Sequence, residues 1–151
     1  MQRKLREYSE EHLERVLLCM EGATARTRIY TAGDSVPFLM PLLLGFEVER
    51  LVALWLNRRF CTIGTEVLSV GAPGYTVVDP RHIMRRALLA NASAFVLAHN
   101  HPSNDPEPSA EDVQATTRVS CAGEAVGITL LDHIVVGGPH TWVSLAQRGL
   151  V

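Results

Sequence analysis

Two apolar runs constrain this chain more than anything else in it. "LVALWL" (residues 51–56) and "AFVLA" (residues 94–98) are continuous rather than alternating. A short run that is apolar at every position is the mark of a strand covered on both faces. A sheet buried from both sides needs a layer of helices on each. The rest of the chain supplies helical stretches between its strands.

Around those runs, "NRRF" turns the chain from the first strand into "CTIGTEVLSV", which alternates well enough to be its neighbour. Asp79 and Pro80 stand as N-cap and first residue of a helix, "PRHIMRRALLANA". Ser109 is the N-cap expected for "AEDVQATTRVSCAGEA". "GITLLDHIVVG" reads as a further strand, and Gly138-Pro139 turns it toward "TWVSL". A short helix, "LAQRG", is expected to close the chain. At the other end, Ser9 can cap a first helix with Leu13, Val16, Leu17 and Met20 on one apolar face and Gly22 at its end. The stretch to about Gly45 is open: Asp34 or Ser35 can cap a short helix, and Pro41 is expected to break it if it runs far. The fold class expected is α/β, a single domain with a mixed β-sheet flanked by helices on both faces.

Composition narrows the class of function. A chain of 151 residues fits one compact domain, and 47% hydrophobic residues argue against disorder. A net charge of -2 argues against a protein that coats nucleic acid through bulk charge. No aromatic-basic stripe is visible in the sequence, so nucleic-acid affinity is expected to be weak. Cys19, Cys61 and Cys121 are widely spaced, form no C-x-x-C, and read as reduced, buried thiols. No apolar run approaches the roughly 20 residues of a membrane span, and "MQRKLREYSEEHLERV" lacks the apolar stretch of a signal peptide. The expectation is a soluble cytoplasmic protein with no membrane partner; its oligomeric state is left open.

The second apolar run ends in "HNHPSNDPEPSAED" (residues 99–112). Residues two apart on a strand point the same way, so His99 and His101 project together from the strand's C-terminal end. Open α/β sheets place their ligand sites at that end. Asp112 falls in the first turn of the next helix, from which its carboxylate can fold back toward the two imidazoles. Two histidines and one carboxylate suit a borderline metal such as zinc and leave its fourth position open, the arrangement of catalytic rather than structural sites. Pro102, Pro106 and Pro108 stiffen the loop, which lowers the entropy lost in holding those ligands together. Each residue alone has a plainer use: a polar residue at a strand end, a carboxylate at a helix N-terminus. Their combination after a buried strand favours metal.

The pattern H-x-H-x7-S-x2-D, met by His99, His101, Ser109 and Asp112, resembles the motif of JAMM metalloproteases in the JAB/MPN domain superfamily. The longer run "AHNHPSNDPEPSAEDVQAT", with "LLDHIVVG" after it, looks like the RadC branch of that superfamily. The likeness runs from about residue 45 to the C-terminus, which divides the chain into an N-terminal helical segment (1–44) and a JAB/MPN domain (45–151). The resemblance implies a cytidine-deaminase-like sheet and a zinc held by His99, His101 and Asp112. It also implies a glutamate on an early strand as general base toward the attacking water. Glu49 matches, standing just before "RLVALWLN"; Glu47, two residues away, and Glu66, in the next strand, are its competitors. Ser109 would hydrogen-bond the developing oxyanion as well as cap its helix. The branch usually has Gly where this chain has Asn104, and Asn also tolerates a positive φ. RadC-type proteins often carry an N-terminal helix-hairpin-helix region, which the first 45 residues here are too short to hold.

Other polar residues give less. His133 fits the family pattern but no ligand spacing, and is expected to be a structural, hydrogen-bonded histidine. Asp105 could orient a ligand histidine as an acceptor. Arg81, Arg85 and Arg86 read as a solvated helix face, Glu107 as a solvent group, and His12, His82 and His140 carry no signal. The function expected is a zinc-dependent metallohydrolase acting on a peptide or isopeptide bond. The rivals are a nucleic-acid-directed protein with the same site and a non-enzymatic interaction module. The H-x-E and P-C-x-x-C signature of base deaminases is absent.

Overall fold

The computed structural model describes residues 26–71 and 78–151. Its elements are α1 (Ala32–Leu43), β1 (Arg50–Leu56), β2 (Thr62–Val70), α2 (Pro80–Leu89), β3 (Ala94–Asn100), α3 (Ala110–Val126), β4 (Thr129–Gly138) and β5 (Thr141–Ser144). The expected Ser9-capped helix, and with it most of the segment 1–44, lies outside the described residues.

The five strands form one mixed sheet in the order β2-β1-β3-β4-β5. Only β3 and β4 run parallel; β1 is antiparallel to both β2 and β3, and β5 to β4. Every residue of β1 and β3 is buried, as their unbroken apolar runs require. The period of two then sorts their side chains between two cores. Leu51, Ala53 and Trp55 of β1 join Phe95 and Leu97 of β3 beneath α2 and α3, which contribute Ile83, Met84, Ala87 and Val119. Val52, Leu54 and Leu56 join Val96 and Ala98 on the other face, covered by Leu39, Met40 and Leu43 of α1. Helices therefore cover both faces of a single-domain α/β sheet.

Three local expectations need correcting. Thr31, not Asp34 or Ser35, is the N-cap of α1; Asp34 Oδ2 instead accepts the Thr31 N–H at 2.8 Å and the Tyr30 N–H at 3.0 Å, one turn ahead. The helix then runs through both Pro37 and Pro41 to Leu43. An interior proline forfeits one helical hydrogen bond, which burial of Leu39, Met40 and Leu43 outweighs. "LAQRG" forms consecutive turns rather than a helix. Asp132 holds them, its Oδ1 accepting the Ala146 N–H at 3.0 Å and its Oδ2 the Ser144 hydroxyl at 2.6 Å. Two of the three thiols also differ from expectation: Cys61 is only half-buried and Cys121 is exposed, both unpaired; Cys19 lies outside the described residues. Cys121 lies on the outer side of α3, away from its buried residues Ala115, Thr116, Val119 and Gly123.

Among the described residues, no helix is long and apolar enough to cross a membrane.

Candidate metal centre

His99 is the penultimate residue of β3 and continues the Phe95–Leu97 row on the face covered by α2 and α3. Its Nε2 lies 3.0 Å from Nε2 of His101, which follows the strand. Asp112 completes the group, with Oδ1 3.3 Å from His99 Nε2 and Oδ2 3.4 Å from His101 Nε2. Among the described residues these three form the one cluster of ligand atoms close enough to share an ion. The two imidazole nitrogens lie 3.0 Å apart and each is 3.3–3.4 Å from a different oxygen of the one carboxylate. With bonds of about 2.0–2.1 Å the edges of a tetrahedron are roughly 3.3–3.4 Å, so the group is of a size to hold a tetrahedral zinc with one position open. The donor set, two imidazole nitrogens and a carboxylate oxygen, is that of catalytic zinc.

The helix cap places the carboxylate. Ser109 N–H donates to Asp112 Oδ2 at 2.8 Å, and Asp112 N–H donates to Ser109 Oγ at 3.1 Å. This reciprocal capping box fixes Asp112 on the first turn of α3, where it meets both histidines. Burial works to raise the Asp112 carboxyl, but hydrogen bonding to His101 and His99, the charge of His99 and the Ser109 N–H hold it far below the usual carboxylate range.

His101 is oriented by the loop that follows it. Its Nδ1 donates to the backbone carbonyl of Asp105 at 2.8 Å, so the acceptor foreseen at Asp105 is its main chain and not its carboxylate. The hydrogen bond to Asp112 raises the imidazole's proton affinity; burial opposes this, while the Asp105 carbonyl and the charges of Asp112 and Glu49 add to it. Asn104 takes φ +64°, the left-handed conformation expected of it. The loop lies so close to β4 that a Cβ on Gly137 would stand 2.7 Å from both the Asn104 carbonyl oxygen and the Pro106 nitrogen. Only glycine allows that approach.

The three candidate glutamates sit in different surroundings. Glu49 directly precedes β1, whose Leu51 pairs with His99, and its charge is felt at His101. Asn100, the middle residue of His-Asn-His, points to the other face and fixes the backbone on either side of Glu49. Its Oδ1 accepts the Arg50 N–H at 2.8 Å and its Nδ2 donates to the Val48 carbonyl at 3.1 Å. Glu66 is engaged elsewhere, accepting from Trp55 Nε1 at 3.1 Å and pairing with Arg86. Glu47 is exposed on the rim of a cleft of about 600 Å³ beside His101.

His133 is hydrogen-bonded, as expected, but its partners tie it to the centre. Nε2 lies 2.9 Å from His99 Nδ1, and Nδ1 lies 2.6 Å from the hydroxyl of Thr116, which donates to the Asp112 carbonyl at 2.7 Å. Burial, then the charge of His99, pushes His133 down to about 3. The sequence signal for it was an Asp-His pair inside a strand that is otherwise mainly apolar, since a buried polar group must find a partner. Of the remaining polar residues, Glu107 pairs with Arg148 at 2.6 Å and Arg86 with Glu66, whereas Arg81 and Arg85 face solvent.

Residues 29–150 match the family model described as "RadC-like JAB domain". Similar curated proteins carry the name "UPF0758 protein". One from Methanococcoides burtonii is 35% identical over 126 residues, covering 83% of this chain and 55% of the relative. One from Listeria monocytogenes serotype 4b is 40% identical over 116 residues, covering 77% and 51%. One from Desulforamulus reducens is 37% identical over 139 residues, covering 92% and 60%. The chain thus spans about half the length of the curated relatives it matches.

Proposed function

The chain belongs to the RadC-like JAB domain family, and from that footing we propose that it is a zinc-dependent hydrolase of the JAMM type, cleaving a peptide or isopeptide amide. The convergence of His99, His101 and Asp112 beside the start of β1 carries this reading. A zinc held there supplies Lewis acidity and makes water a usable nucleophile near neutral pH. Glu49 is the general base, taking a proton from the attacking water and delivering it to the leaving amine. The Asn100 side chain keeps it in register by gripping the peptide units before and after it. Ser109 Oγ accepts from the Asp112 N–H, so its own proton remains free to donate to the developing oxyanion. Leu44, Phe46, Pro102 and Val136 line the cleft beside His101 and give an extended chain apolar surface to lie on.

The decisive test is a cleavage screen of peptide, isopeptide and DNA substrates with zinc-loaded protein and a Glu49→Gln control. Amide cleavage that falls on the order of 10²- to 10⁴-fold in Glu49→Gln, with zinc retained, supports the proposal. Activity that survives in Glu49→Gln and disappears in Glu66→Gln assigns the base to the wrong strand.

One observation favours a second reading, contact with nucleic acid. Arg28 bridges to Cys61, which lays the segment from Arg26 to Tyr30 beside the β1–β2 turn. Arg26, Arg58 and Arg59 line one cleft there, and exposed Tyr30 and Phe60 line another. The fold brings together two short basic-aromatic stretches, "RTRIY" (26–30) and "NRRF" (57–60), that are distant in sequence. Such surfaces suit single strands, through phosphate contacts and base stacking. Single-stranded DNA binding that fades steeply with salt and is weakened by Arg58→Ala/Arg59→Ala supports it; salt-insensitive binding, or none, removes it.

A further inference from the structure

The zinc reading requires both histidines to present a bare Nε2, and an imidazole can carry its proton on either nitrogen. At His101 the Asp105 carbonyl settles the matter, since a carbonyl only accepts and Nδ1 must be its donor. At His99 the partner is another histidine, which by itself settles nothing. The answer lies two hydrogen bonds further in, on α3.

We propose that Thr116 and His133 are positioning residues that fix the tautomer of His99 and so prepare its Nε2 to bind the metal. The inference rests on the zinc reading above; the proton order follows from the hydrogen-bond geometry with His133 neutral. Thr116 Oγ is 2.7 Å from the Asp112 backbone carbonyl, so the hydroxyl proton points there. The lone pairs left on Oγ face His133 Nδ1 at 2.6 Å, so Nδ1 carries a proton and donates it. His133 is fully buried, with a hydroxyl and an imidazole as its partners, and the neutral ring is its least costly form there. Its Nε2 is then bare and accepts from His99 Nδ1 across 2.9 Å. With its proton on Nδ1, His99 turns an unprotonated Nε2 toward His101 and Asp112. The order begins at a peptide carbonyl that cannot be reversed. That carbonyl belongs to Asp112, so one residue both offers a ligand oxygen and sets the polarity for the opposite ligand.

The topology makes the relay possible. Leu97 pairs with His133 across the parallel β3–β4 ladder, which sets His133 on the face of His99 and diagonally behind it. Thr116 stands one helical turn after Asp112, on the inner side of α3. Partners behind a ligand histidine of this kind are commonly worth 10- to 100-fold in metal affinity.

Thr116→Val keeps the side chain's shape and removes the acceptor for His133 Nδ1–H. His133 then avoids an unpaired buried donor by moving its proton to Nε2 and donating to His99 Nδ1. That leaves the His99 proton on the metal-facing nitrogen. The test combines zinc affinity, from competition with a chromophoric chelator, and the tautomer of His133, from long-range ¹H–¹⁵N correlation in zinc-free protein. The expected wild-type spectrum has the His133 proton on Nδ1. In Thr116→Val it moves to Nε2 and zinc binds roughly 10- to 100-fold more weakly, while Thr116→Ser, which restores the hydroxyl, recovers both. A wild-type His133 protonated on Nε2 overturns the relay, whether or not Thr116→Val folds. Thr116→Val with wild-type zinc affinity and a merely lower melting temperature reduces Thr116 to a packing residue. Wild-type protein that binds no divalent metal rejects the zinc reading instead, and the His133 spectrum still decides the relay.

Discussion

His99 and His101 are two residues apart and end 3.0 Å from each other, yet the protein holds them by opposite means. His99 sits in the sheet, buried, and is backed by side chains from β4 and α3. His101 sits at the mouth of a loop and is backed by a main-chain carbonyl. A position fixed by side chains can be lost through any one of them. A position fixed by the main chain depends on where the chain runs, so its sensitive residues are those that steer the loop. The two halves of one centre should therefore fail to different kinds of mutation.

Replacing the histidines themselves gives the largest effects. Either His→Ala change should abolish tight zinc binding, because two ligands do not hold the ion. Their costs in stability should differ. His99→Ala leaves His133 buried with a nitrogen unpaired, a loss of about 1–3 kcal/mol besides the cavity. His101→Ala frees a carbonyl that water can reach and should cost less. Denaturant unfolding in excess chelator measures both; equal losses would break the distinction between the two halves.

Next in size is Gly137→Ala, which acts on the loop side without touching a ligand. The added methyl must displace the main chain at Asn104 and Pro106, an overpacking worth about 1–3 kcal/mol. The displaced Asp105 carbonyl should weaken zinc binding as well, and wild-type affinity in this variant would show that His101 needs no such support. Ser109 follows. As a cap it should be worth about 1 kcal/mol over Ala and only a few tenths over Gly. Both variants should lose hydrolysis alike, by roughly 10²- to 10³-fold in kcat. Thermal melts and turnover separate these roles, and a Ser109→Gly protein at wild-type rate leaves the serine a cap alone. Smallest of all is Asp105→Ala, because the acceptor is its carbonyl. Among the described residues its carboxylate accepts only the Glu107 N–H of the loop, at 3.0 Å. Zinc affinity should therefore change by no more than about 0.5 kcal/mol, and a larger loss of affinity would mean that the carboxylate helps to orient His101.

Much of this centre could be read along the chain, because its determinants are local. The two-residue period of a strand brings His99 and His101 together, and a cap with its N3 carboxylate presents Asp112. The parts that escaped depend on pairings between distant segments. His133 reaches His99 only through the parallel β3–β4 register, 34 residues apart. The engagement of Glu66 depends on Trp55 and Arg86, which come from β1 and α2. The two basic-aromatic stretches, 26–30 and 57–60, become one surface only once the first lies against the β1–β2 turn. In α1, local propensity misled, since two prolines argue against a helix that tertiary burial nonetheless sustains.

The alternation within His-Asn-His has a consequence for how such a site tolerates insertions and deletions. Its outer letters address one face of the sheet and its middle letter the other, where it clamps the backbone beside Glu49. Adding or deleting one residue within β3 reverses that parity. Asn100 would then turn toward the metal side and a histidine toward the peptide units flanking Glu49, so both halves of the machinery would be misaddressed by one event. A two-residue change keeps the parity but slides the histidines along the strand, away from Asp112 on its fixed cap. β3 is thus a frame-sensitive segment, open to substitution but closed to changes of length, and drift in length must be confined to loops that do not shift its phase.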